Sequence, residues 1–208
     1  MHLRTLEKLG RTRLSKNFFL RDFLHSEIAQ VEGIANIPDN PEIAIAAGRG
    51  LCENILEPMQ KSLGKISIRS AYRSSAINKI GNKKNYNCAS NEKNYARHIW
   101  DIKDREGKLG ATACVVVNSF VDYYDATGDW TALAWWVHDH IPGYSEMIFY
   151  PKNAAFNITW SEGTQKEKLI MSQVPNPHTG KKGILTRTNW NNFAGDHAQH
   201  YQHWIDLL

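Results

Sequence analysis

The run YARHIWDIKD, residues 95–104, places one imidazole and two carboxylates within seven residues: His98, Asp101 and Asp104. His98 and Asp101 stand three apart, a separation that puts both side chains on one side of a helical turn. So placed, they supply two ligands for a metal ion, or an orienting pair for acid–base work. Trp100 and the basic Arg97, Lys103 and Arg105 bracket the cluster, and Trp100 is assigned to substrate contact.

Two other histidine groups carry a plainer expectation. His138, Asp139 and His140 follow AWWV and read as the end of an amphipathic helix before Pro142, where the helix dipole favours histidine. His197, His200 and His203 recur every three residues and read as a solvated terminal face. Cys114 stands beside three valines, the setting of an inert core thiol.

The elements that position these groups follow from pattern. Asn17 to Val31 reads as an amphipathic helix and residues 33–41 as a loop. Pro41 opens a helix that runs to about Leu63, bends at Pro58 and stops at Gly64. Ile66 to Ser70 alternates as a short strand, and Ser74 to Ile80 starts a helix. Residues 81–97 form a long polar loop, a length that in compact domains often signals function. Ala113 to Val117 reads as a buried strand. Phe120 to His138 is helical in two pieces around Gly128 and Asp129. Tyr144 to Tyr150 and Ala154 to Trp160 pair as strands, and Gly195 to Leu208 ends in a helix. Helices first, then mixed strands and helices, predict an α+β fold in one domain over 1–208, with residues 1–16 as an N-terminal arm.

Composition bounds the function. With 208 residues, 42% hydrophobic and 22% charged, the chain has globular usage. A formal charge of +4 without a clustered basic run is no footprint for nucleic acid and argues against it as a partner. No stretch of 18 apolar residues exists and the N-terminus lacks an apolar signal core, which predicts no membrane span and cytoplasmic synthesis. Cys52, Cys88 and Cys114 are odd in number and widely spaced, against a disulfide framework.

The segments FFLRDFLHSEIA and ENILEPMQKSLGKISIRSAYRSSAIN together resemble the N-terminal half of the zinc D-Ala-D-Ala carboxypeptidases, peptidase family M15. The resemblance covers the first 80 residues well and the remainder loosely. It implies a Hedgehog/DD-peptidase fold, with N-terminal helices followed by a small, mainly antiparallel sheet. It also implies a zinc ion, a peptidoglycan stem peptide as substrate, and a cleft in which Tyr72 and Arg73 contact that substrate. A guanidinium suits the role because it grips a carboxylate through two parallel hydrogen bonds.

Family members carry the pattern HxxGxAxD and later a Trp-x-His with a nearby glutamate. The matching stretch GKLGATAC has Gly107 for the histidine and Cys114 for the aspartate, and Ser161 stands for the later histidine. The metal grip therefore shifts to His98 and Asp101, with a third ligand from His138 or Asp104 and Glu146 or Glu162 as the base. Two functions follow. One is a metal-dependent hydrolase of stem peptides. The other is a binding protein on the same scaffold that keeps Arg73 and recognises an anionic peptide, glycan or other small ligand.

Overall fold

The structure, a computed structural model, describes residues 3–163 and 167–208; the first two residues of the expected arm lie outside them. Helices α1 (Leu3–Gly10), α2 (Glu27–Glu32), α3 (Pro41–Leu51) and α4 (Glu57–Leu63) precede strand β1 (Ile66–Ser70). Then come α5 (Ser75–Lys83), α6 (Asn91–Asn94), β2 (Gly110–Val117), α7 (Val121–Thr127) and α8 (Thr131–His140). Strands β3 (Tyr144–Phe149), β4 (Phe156–Ser161), β5 (Leu169–Ser172) and β6 (Gly183–Arg187) and helix α9 (Gln202–Ile205) complete the chain. The fold is α+β, and the strands form one six-stranded sheet in the order β1-β2-β4-β3-β5-β6. Every pairing is antiparallel except β3 with β5.

Several expected boundaries hold. Pro41 opens α3, Ser74 caps α5 by accepting from the Ile77 N–H, and α7 and α8 flank Gly128 and Asp129. Asp129 also caps, taking the Thr131 N–H at 2.9 Å. Others differ. The expected helix over 17–31 is a 3-10 turn at Leu20–Phe23 followed by α2, which Ser26 caps. Between α3 and α4 the helix widens into a π turn over Cys52–Leu56, so the distortion lies just before Pro58 rather than at it. The backbone stays helical from Leu51 through Leu56 and Glu57, so Pro58 lies within a continuous helix, and the Glu57 N–H just before it reaches back five residues to the Cys52 carbonyl. The stretch 81–97 contains the end of α5 and all of α6, and is not one open loop. Residues 1–16 include α1.

Strand alternation builds two faces. Ala111, Ala113, Val115 and Val117 of β2, Met147 and Phe149 of β3, and Phe156 and Ile158 of β4 join the core. That core receives α3 through Ala44, Ala47 and Leu51, and α3 packs on β2 and β4. The intervening residues Thr112, Cys114, Glu146, Ile148, Tyr150 and Asn157 turn to the opposite face, where they floor an open cavity.

The start of β2 is fixed by close approach. A Cβ on Gly110 would meet the Ala96 carbonyl oxygen at 2.1 Å, a backbone atom that cannot swing aside. Replacing Gly110 with alanine is expected to cost about 2 kcal/mol, in the range of overpacked cores. Urea unfolding of G110A against the wild type measures this.

Candidate functional site

The cavity on the open sheet face holds about 810 Å³. Its floor is the alternating set from β2, β3 and β4; its walls come from the exit of β1, from residues around His98, and from Ser26 and Glu27 at the start of α2. Four cationic side chains line it, Arg69, Arg73, Lys93 and Arg97, against two carboxylates, Glu27 and Glu146. Arg97 and Glu146 pair with each other. The remaining charge favours an anionic occupant.

His98 is set by three backbone ties. The Arg73 N–H donates to the His98 carbonyl at 2.8 Å, the Thr112 N–H donates to the Arg97 carbonyl at 2.9 Å, and His98 Nδ1 meets the Ala71 carbonyl at 2.8 Å. Just before it, Ala96 adopts φ 53°, a left-handed conformation costly for alanine. The Ala96 N–H is held by the carbonyls of Ile99 and Ile102, which keeps the turn closed.

Because a carbonyl only accepts, Nδ1 of His98 carries the proton and Nε2 presents its lone pair. Asn157 Nδ2 donates to that Nε2 at 3.2 Å and to the Tyr150 hydroxyl at 3.0 Å. Burial, reinforced by the charges of Arg73 and Arg97, holds His98 neutral, down to about 3. Cys114 stands directly across from Asn157 in the β2–β4 register. Burial pushes its thiol up to about 11, although Arg69 and Arg73 pull the other way. Near neutral pH it is a thiol, not a thiolate. Burial likewise raises Tyr150.

Arg73 is half-buried and reaches the cavity from the first residues after β1. Its Nη1 donates to the Cys88 sulfur at 2.6 Å, so the segment after α5 fixes the guanidinium from one side. A pre-placed guanidinium loses less freedom when it grips a ligand.

The other expected site residues are dispersed. Asp101 is 1% exposed and does not line the cavity. Its Oδ2 accepts the Asp39 N–H at 2.8 Å and the Asn40 N–H at 3.3 Å, which anchors the approach to α3. The i,i+3 argument fails because residues 96–98 are turns rather than helix. Trp100 is fully buried, donates to the Thr112 carbonyl at 3.1 Å, and packs against Phe23 and Tyr72. It contacts core, not substrate. Tyr72 touches the cavity wall, but its ring is fully buried and edge-on to Trp100. Burial, and then the neighbouring Asp101, hold its phenol protonated.

The alternatives are also engaged. Asp104 caps its own turn through the Glu106 and Lys108 N–H groups, and Glu162 accepts from Leu109. Ser161 faces Ser145 at 3.2 Å. The donor set around His98 therefore does not fit the expected zinc: Asp101 lies outside the cavity with Oδ2 on two backbone N–H groups, Asp104 caps its own turn, and Glu146 pairs with Arg97.

Asp101→Ala is expected to leave two N–H groups without an acceptor and to lower stability by about 2 kcal/mol. Ligand binding in the cavity should be unchanged. Denaturant unfolding and a binding titration on the same variant measure both.

The group that could hold a metal lies elsewhere. Among the described residues, His138, Asp139 and His197 are the one set of three whose ligand atoms lie within 4.8 Å of one another. His197 is 6% exposed and not on a solvated face. It stacks on Trp135 with centroids 4.1 Å apart and binds Asp139 through Nδ1 at 2.7 Å. Sequence spacing hid the pairing, because Asp139 and His197 are 58 residues apart. Asn157 and Tyr150 were missed as well; their alternation with core residues in β4 and β3 was the available signal. Comparison of the chain with protein-family models, with curated proteins and with solved structures finds no match.

Proposed function

We propose that the cavity on the open sheet face binds the free carboxylate of a peptide-like anionic ligand, on a scaffold of the M15, Hedgehog/DD-peptidase type. The observation that carries this reading is Arg73, half-buried in a cavity with an excess of cationic side chains and held in place by Cys88. Arg69 adds a second guanidinium on the same wall. Asn157, Tyr150 and neutral His98 supply hydrogen bonds for a peptide group without a competing charge. The scaffold assignment rests on the sequence of the first 80 residues, and the α+β sheet with its preceding helices is compatible with it. Three free cysteines accord with cytoplasmic synthesis, and among the described residues no helix is long and apolar enough to cross a membrane.

A titration with a peptidoglycan stem peptide tests the reading. The free acid should bind, and its C-terminal amide at least tenfold more weakly. Equal affinity for acid and amide would remove Arg73 from the account.

The zinc-dependent hydrolase is the second reading. It is favoured by one observation: His98 Nδ1 donates to the Ala71 carbonyl, the outer contact of a ligating imidazole, so zinc would take the place at Nε2 that the Asn157 amide holds. Release of alanine from the same stem peptide in the presence of zinc distinguishes the two.

A further inference from the structure

His138, expected as a third ligand beside His98, does not line the ligand cavity; it groups instead with Asp139 and His197, which lie outside that cavity as well. Each has one polar atom held by an outer partner. Tyr144 meets His138 Nδ1 at 2.5 Å, His197 Nε2 meets the Asn192 carbonyl at 3.1 Å, and Asp139 Oδ2 accepts the Tyr201 hydroxyl and the His197 N–H, both at 3.1 Å. The inner atoms are His138 Nε2, His197 Nδ1 and Asp139 Oδ1; the last two bond each other and the first bonds the Phe193 carbonyl. Outer hydrogen bonds that fix ring orientation and leave the inner atoms to a cation are the usual second layer of a metal centre.

The hydrogen bonds also define what a cation would replace. Both ring nitrogens of His197 face oxygen atoms, Nδ1 towards Asp139 and Nε2 towards the Asn192 carbonyl. His138 Nε2 donates to the Phe193 carbonyl at 2.7 Å, and its Nδ1 accepts from Tyr144. The neighbours Trp135 and Phe193 shield the group, with Trp135 stacked on His197 and Phe193 edge-on to His138.

We propose that His138, Asp139 and His197 form a structural site for a divalent transition-metal ion, which fastens the C-terminal segment to the end of α8. Two imidazoles and a carboxylate are the donor set of zinc-class ions rather than of magnesium or calcium. On binding, the ion takes the place of the His197 Nδ1 proton, which leaves to solvent. The His138 proton moves from Nε2 to Nδ1, where the Tyr144 oxygen accepts it. The Phe193 carbonyl offers a further oxygen.

The test uses untagged full-length protein, dialysed against chelator and titrated with zinc alone and with cobalt alone. One ion per chain should bind, with a rise in melting temperature and, for cobalt, a visible absorption band. Asp139→Asn keeps most of the hydrogen bonding and should weaken the metal at least tenfold. Tyr201→Phe removes one outer partner and should weaken it about tenfold. His25→Ala and His178→Ala change histidines outside the group and should have no effect. Absence of a stoichiometric ion, or binding that survives Asp139→Asn unchanged, overturns the proposal. Because none of these residues lines the cavity, either result leaves the carboxylate-binding reading where it was.

Discussion

Arg73→Met is expected to weaken binding of a free-acid stem peptide about a hundredfold while leaving the fold intact. A guanidinium that donates two hydrogen bonds to a carboxylate makes charge-assisted contacts, each stronger than a neutral bond. Loss of about 2.7 kcal/mol corresponds to two decades in affinity. The half-buried position of Arg73 limits screening by solvent, which would otherwise reduce the effect. Arg73→Lys should recover only part of the loss, because an ammonium keeps the charge but not the planar fork. Cys88→Ala leaves the guanidinium charged but untethered, and a few-fold loss is expected. Calorimetric titration of the three variants gives the order wild type, Cys88→Ala, Arg73→Lys, Arg73→Met. A flat series would show that the ligand does not reach this wall.

The second large effect concerns acid. His98 is neutral in the folded chain down to about pH 3, whereas an unfolded histidine takes up its proton near 6.5. A depressed folded value means that the unfolded state binds more protons between those limits. The stability is therefore fully present above about pH 6.5 and is lost progressively as pH falls towards 3. A gap of about 3.5 pH units at about 1.4 kcal/mol each gives a loss on the order of 4–5 kcal/mol. Urea unfolding of the wild type at pH 7, 5.5 and 4 should show that slope. His98→Gln retains polar atoms on the ring side but does not titrate, so its slope should be shallower over the same window. Identical slopes in both proteins would place the acid sensitivity elsewhere.

Legibility in the sequence followed locality. The caps at Pro41, Ser74 and Asp129 act within three residues, and the strands β1 to β4 announce themselves by alternation or by a valine run. Strands β5 and β6 escaped because LIMS and GILTR are four and five residues long and carry no distinctive period. β5 is held by parallel pairing with β3, and β6 by pairing with β5 at the sheet edge, causes that propensity does not record.

The site divides along the same line. The place of Arg73 at a cavity wall was readable because its turn follows a helix and a strand in a recognisable order. The direction of Asp101 was not, since a spacing of three means a shared face only on a helix, and residues 98–101 are turns with a bridge from Ile99 to Tyr95. His197 looked solvated because its partner Asp139 lies on another element. The alternation of SEMIFY, β3 and the residue after it, already contained the cavity floor: Glu146, Ile148 and Tyr150 on one side, Met147 and Phe149 on the other.

The most direct measurement is a paired titration of one stem peptide, as free acid and as C-terminal amide, into wild-type protein and Arg73→Met. Carboxylate recognition by this wall requires the acid to win over the amide in the wild type and that advantage to vanish in the variant. An advantage that persists without Arg73, or none in either protein, would contradict the account.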